Sequence, residues 1–112
     1  MFEQFNKSFK KTVRDEINLE SMKFTALKDF AGQTVKVDGF FFTESKKYGK
    51  QTVVVGNGAK INIPKRYTED FLAIRDNDEM LKAVLDGHLT LTDIHEGDSS
   101  NGKTTYFTFT EV

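Results

Sequence analysis

Apolar and polar residues alternate along this chain in two rhythms. Phe2, Phe5, Phe9, Val13 and Ile17 recur every three or four positions, which predicts one apolar stripe on a helix. Lys7, Lys10, Lys11 and Arg14 fall off that stripe, so residues 1–23 read as a basic amphipathic helical extension. From Met22 the texture changes. Leu27-Lys28-Asp29-Phe30-Ala31-Gly32 reads as a short helical turn closed by glycine. Gln33 to Asp38 alternates with a period of two, which turns Val35 and Val37 inward. Gly39 interrupts this first strand, and Phe40-Phe41-Phe42 continue it. A regular strand would put Phe41 inside and Phe40 and Phe42 outside; a bulge at Gly39 would reverse that assignment.

A loop over Ser45-Lys46-Lys47-Tyr48-Gly49-Lys50 leads to a second strand, Gln51 to Val55. Asn57-Gly58 is a strong hairpin signal, and Lys60 to Ile63 follows as a third strand, stopped by Pro64. Residues 68–86 are predicted helical. Thr68 serves as the cap, Glu69 and Asp70 lie in the first turn, and Asp76-Asn77-Asp78-Glu79 breaks and recaps the helix. Gly87 ends it. His88 to Ile94 is the fourth strand, Gly97 to Gly102 a turn with a second Asn-Gly pair, and Thr104 to Thr110 the fifth strand. On that last strand Phe107 and Phe109 share one face, Tyr106 and Thr108 the other.

Three strands, a helical segment and two strands is the element order of the five-stranded OB-type β-barrel. The expected fold is therefore mostly β, a single barrel over residues 24–112 behind the N-terminal extension. Its ligand face uses strands two and three and the loops joining one to two and four to five. The rival is another small β-barrel or a half-open α+β sheet.

Composition narrows the chemistry. In 112 residues there is no cysteine, which removes disulfides, thiolate metal sites and cysteine nucleophiles. His88 and His95 lie seven apart on predicted opposite faces of one strand, so they do not suggest a shared metal. Gly56-Asn57-Gly58 lacks the spacing and the following helix of a phosphate-binding loop. The carboxylates between Asp70 and Asp98 look like solvated helix and loop surface. No catalytic residue, metal or cofactor is expected, and the chain reads as a binding protein. No apolar run approaches the ~18 residues of a membrane span and no signal peptide opens the chain, so a cytoplasmic location without membrane contact is expected.

The net charge of −1 conceals an asymmetry. Residues 1–66 carry thirteen Lys/Arg against seven Asp/Glu, whereas residues 67–112 carry three against ten. Eleven Phe and three Tyr are also more than a small core needs. Single-stranded nucleic acid is held by cations that track phosphates and by rings that stack on bases. Lys46, Lys47, Lys50, Lys60, Lys65, Arg66 and Lys103 are the predicted phosphate contacts. Tyr48, Tyr67, Tyr106 and Phe42 are the predicted stacking rings. Nothing in the sequence separates DNA from RNA. A different class also fits near-neutral charge: a β-barrel interaction module whose surplus rings bind or inhibit a host protein.

At Phe40-Phe41-Phe42, Tyr48-Gly49-Lys50-Gln51, Val53-Val54-Val55-Gly56-Asn57-Gly58, Ile63-Pro64-Lys65-Arg66 and Ala83-Val84-Leu85-Asp86-Gly87-His88-Leu89, the chain resembles a family of small proteins from phages and mobile elements of Gram-positive bacteria. That family is related to phage single-stranded DNA-binding proteins with an OB fold. The resemblance covers about residues 24–112. It implies non-specific binding of single-stranded DNA in replication, recombination or repair of the element's genome, within the host cytoplasm. It also implies a homo-oligomer and contacts with replication or recombination proteins. Cellular single-stranded DNA-binding proteins recruit partners through an acidic C-terminal tail. Here the fifth strand runs into Thr110-Glu111-Val112, and the Phe-rich N-terminal segment is the candidate for recruitment or self-association.

Overall fold

A computed structural model of the chain describes residues 12–13, 17–47, 49–100 and 102–112. Six strands form one curled sheet: β1 (Phe24–Ala26), β2 (Val35–Ser45), β3 (Gly49–Gly56), β4 (Ala59–Asn62), β5 (Leu89–Ser99) and β6 (Gly102–Glu111), in the spatial order β1-β4-β3-β2-β5-β6. Two helices, α1 (Thr68–Asp76) and α2 (Asp78–Leu85), connect β4 to β5. No helix among the described residues is long and apolar enough to cross a membrane.

The curl comes from β2. Val35 and Lys36 pair antiparallel with Leu91 and Thr90 of β5, while Gly39 to Ser45 pair with β3. The change of partner falls where the register shifts between Val37 and Gly39. This is the bulged alternative for the first strand. Phe40 is fully buried against Phe71 of α1, with ring centres 5.3 Å apart, and Phe42 packs edge-on to Phe40 on the same side. Opposite residues of an antiparallel pair share a face. Phe41 therefore lies with Val53, Val55 and Lys60 on the outer face of the sheet, and Phe40 lies with Val54 and Ile61 on the inner face.

Gly39 also meets a segment that the apolar stripe had placed in a helix. The Thr12 carbonyl accepts from the Phe40 amide, and Val13 forms an isolated antiparallel bridge to Gly39. A Cβ at Gly39 would stand 2.6 Å from the Thr12 carbonyl oxygen, so only glycine lets this strand-like segment approach. Leu19–Ser21 is a single 3-10 turn. Phe2, Phe5 and Phe9 lie outside the described residues.

The core joins the inner face of the sheet to the helices through Val35, Val37, Phe40, Val54, Ile61, Ile63, Phe71, Val84 and Leu91. Asn57 and Gly58 both adopt positive φ, as the Asn-Gly turn requires. Gly87 is likewise left-handed where α2 ends. Asn77 caps α2 by accepting from the Met80 amide. Thr68 does not cap α1. A 3-10 turn at Lys65–Tyr67 precedes it, Thr68 is already helical, and its hydroxyl is buried with no hydrogen-bond partner.

Two further expectations are corrected. Among the described residues there are six strands, because Phe24–Ala26 adds β1 parallel to β4. The last hairpin is also longer than its turn signal suggested: β5 runs to Ser99 and β6 starts at Gly102, so Gly97 and Lys103 lie inside the ladder.

Candidate nucleic-acid interface

Cations gather where β2 turns into β3. Lys46 and Lys47 are exposed in that turn, and Lys50 follows on β3 opposite Glu44. The 3-10 turn after Pro64 directs Lys65 back to the same place, with its ammonium 3.4 Å from where a Cβ on Gly49 would stand. Arg75, in the last turn of α1, completes the group. Its guanidinium carbon lies 5.7 Å from the centre of the Phe42 ring, and the Lys50 ammonium lies 5.8 Å from the same ring. Arg75 also pairs with Asp76 at 3.1 Å. Phe42 is thus an inward-facing ring at the rim of the core, flanked by two cations, as the bulged alternative for the strand requires. Tyr48 lies outside the described residues.

Arg66 and Tyr67 have other employment. Arg66 donates from one guanidinium nitrogen to the Thr104 hydroxyl at 2.7 Å and from another to the Thr105 carbonyl. The Tyr67 hydroxyl accepts from the Phe107 amide at 3.3 Å, and its ring packs 4.2 Å from that of Phe107. β4 and β6 are not hydrogen-bonded neighbours in the sheet. These two side chains span the gap in place of a ladder. Both of these predicted contact residues hold β6 to the turn after β4, and Arg66 does so while exposed.

Tyr106 is half-buried. The Arg66 guanidinium carbon lies 4.1 Å from its ring centre, the His95 imidazole stacks on it at 5.6 Å and 25°, and the ring passes over Gly97. Its hydroxyl donates to the Asp98 carbonyl. Arg66, His95 and Gly97 thus cover part of this predicted stacking ring. Lys103 is exposed beside the hairpin tip, opposite Asp98.

The outer face of the sheet supplies a ring that the sequence reading passed over. Phe24 of β1 is 53% exposed, and the Lys60 ammonium lies 4.3 Å from its centre. The parallel register sets Phe24 directly beside Lys60. Asn62, next on that face, donates to the Thr25 carbonyl. Val53 and Val55 between these residues and β2 are fully buried. The signal for Phe24 was one aromatic in a three-residue alternation, too short to register as a strand. Arg75 was legible in principle, because it stands four residues beyond the core residue Phe71 and so on the same helical face.

Among the described residues no group of three His, Cys, Asp or Glu side chains is placed to hold a metal. His88 bonds the Val112 carbonyl, and His95 bonds the Asp93 carbonyl. Comparison with family models, curated proteins and solved structures finds no match.

Proposed function

We propose that the chain binds single-stranded DNA without strong sequence preference, in the replication, recombination or repair of a phage or mobile element. The observation that carries the reading is the convergence of Lys46 and Lys47 of the β2–β3 turn, Lys50 of β3, Lys65 of the 3-10 turn and Arg75 of α1 around that turn and Phe42. Cations tracking a phosphate chain next to aromatic surface are what an unpaired strand requires. Phe24 with Lys60 extends the same chemistry onto the outer face.

An OB-type barrel is the finer fold we infer. Its support is a bent β2 that serves both β3 and β5, a β2–β3–β4 meander, and helices between β4 and the β5–β6 hairpin. The fifth strand of such a barrel would be β6, with Arg66 and Tyr67 completing the closure.

Fluorescence titration of labelled oligo(dT) at low and moderate salt tests the reading. Binding is expected, with log affinity falling against log salt at about 0.7 per neutralised phosphate. An oligo(rU) titration in parallel reads whether the sugar matters. Failure of both oligomers to bind at low salt overturns the proposal and leaves the protein-interaction module.

A further inference from the structure

A groove of about 810 Å³ opens between the two helices, the start of β5 and the end of β6. Ile74 of α1, Met80 of α2, Leu89 of β5 and Phe109 of β6 give it apolar walls. Met80 is 53% exposed and Phe109 37%, so this apolar surface is open to water. Asp70, Glu79 and Glu111 stand among the lining residues. An apolar slot with a carboxylate rim repels nucleic acid and suits a peptide with apolar anchors and basic flanks.

The chain contains one such peptide. Phe2, Phe5 and Phe9 recur at helical spacing and Lys7, Lys10 and Lys11 flank them, against the single carboxylate Glu3. At a helical rise Phe2 to Phe9 spans about 10 Å, close to the length of about 12 Å expected for the eight residues of α2. We propose that the groove receives residues 2–11 of a second copy of the chain. The donor is a second copy because Thr12 and Val13 sit on the Cβ side of Gly39, the outer face of β2. The helices that form the groove pack on the inner face, through Phe40 and Phe71. Within one chain the sheet stands between the segment's anchor and the groove.

A segment of one copy in the groove of the next is a heterologous contact. It propagates into open chains unless a rotation happens to close it. The inference does not draw on the nucleic-acid reading, and its test contains no nucleic acid.

Sedimentation velocity of the full chain over a wide concentration range is the experiment. The sedimentation coefficient is expected to climb with concentration, to a dimer plateau where the exchange is reciprocal and without one where it is not, and association is expected to weaken as salt rises from about 50 to about 300 mM. Met80→Asp removes the apolar wall and Glu79→Lys reverses the rim; each is expected to abolish or weaken association several-fold while circular dichroism stays native. A Phe5→Ser, Phe9→Ser variant loses the segment and is expected to be monomeric. Mixed with Met80→Asp, it keeps one intact groove against one intact segment, so the pair should form a 1:1 complex and grow no further. A wild-type chain that stays monomeric, folded variants that associate like wild type, or a mixture that forms no complex would each overturn the proposal.

Discussion

The Arg66 guanidinium lies across the Tyr106 ring at 4.1 Å while it donates to Thr104 and to the Thr105 carbonyl. A residue of the turn after β4 thus holds three neighbours on β6. Arg66→Ala removes two hydrogen bonds and the ring contact, and is expected to lower stability by about 1–3 kcal/mol in urea denaturation. Arg66→Lys should recover only part of this, because one ammonium does not reproduce the planar fork.

Tyr67 and Phe24 separate folding from binding. Tyr67 packs on Phe107 and accepts from its amide, so Tyr67→Ala is expected to cost about 3 kcal/mol or more in the same assay. Phe24 is largely solvent-exposed, so Phe24→Ala should leave the denaturation midpoint within about 0.5 kcal/mol of wild type. On oligo(dT) it should lose the stacking of about one base, roughly 1–3 kcal/mol, read as a fall in affinity of about five- to 150-fold.

Charge at the β2–β3 turn has its own signature. Lys65→Ala and Lys50→Ala are each expected to weaken oligo(dT) binding and to reduce the salt slope by about 0.7. Lys82→Ala, on the exposed side of α2, is the control that should leave the slope unchanged.

Asn77 and Thr68 form a pair with opposite expectations. Asn77 accepts from the Met80 amide, and Asn77→Ala should cost about 1 kcal/mol. The Thr68 hydroxyl is buried without a partner, so Thr68→Val should be neutral or stabilising by up to about 1 kcal/mol. Thermal denaturation of the two variants distinguishes the true cap from the residue that only resembles one.

At Gly39 the space is filled by backbone. Gly39→Ala would set a Cβ 2.6 Å from the Thr12 oxygen and 2.7 Å from the Val13 Cα. The expected result is expulsion of Thr12 and Val13 from β2, seen as faster hydrogen exchange at the Phe40 amide, which donates to Thr12.

The elements that could be read from sequence are those with local signals. Val35 and Val37 alternate, Asn57-Gly58 demands positive φ, Asn77 follows a helical run, and Gly87 stops one. The side on which Phe40 and Phe42 fall could not be read, because period-two alternation does not say whether Gly39 inserts a residue. β1 escaped notice because three residues carry almost no periodicity and its partner β4 is distant in sequence. Lys46, Lys47, Lys50 and Lys65 come together because the β2–β3 turn and the 3-10 turn after Pro64 adjoin. Arg66 and Tyr67 looked the same in sequence, a cation and a ring in a loop. Their roles depend on which atoms of β6 lie opposite, and that is decided by tertiary packing alone.

The brief ladder between β2 and β5 has a mechanical consequence. Among the described residues only Val35 and Lys36 join the β5–β6 ribbon to the remainder of the sheet by paired backbone. The ribbon extends about 30 Å beyond that pivot at strand rise. A rotation of about 10° there would swing the far tip by about 5 Å. Arg66 and Tyr67 act as the stay that limits this swing, because they grip β6 from Thr104 to Phe107, on the tip side of the pivot.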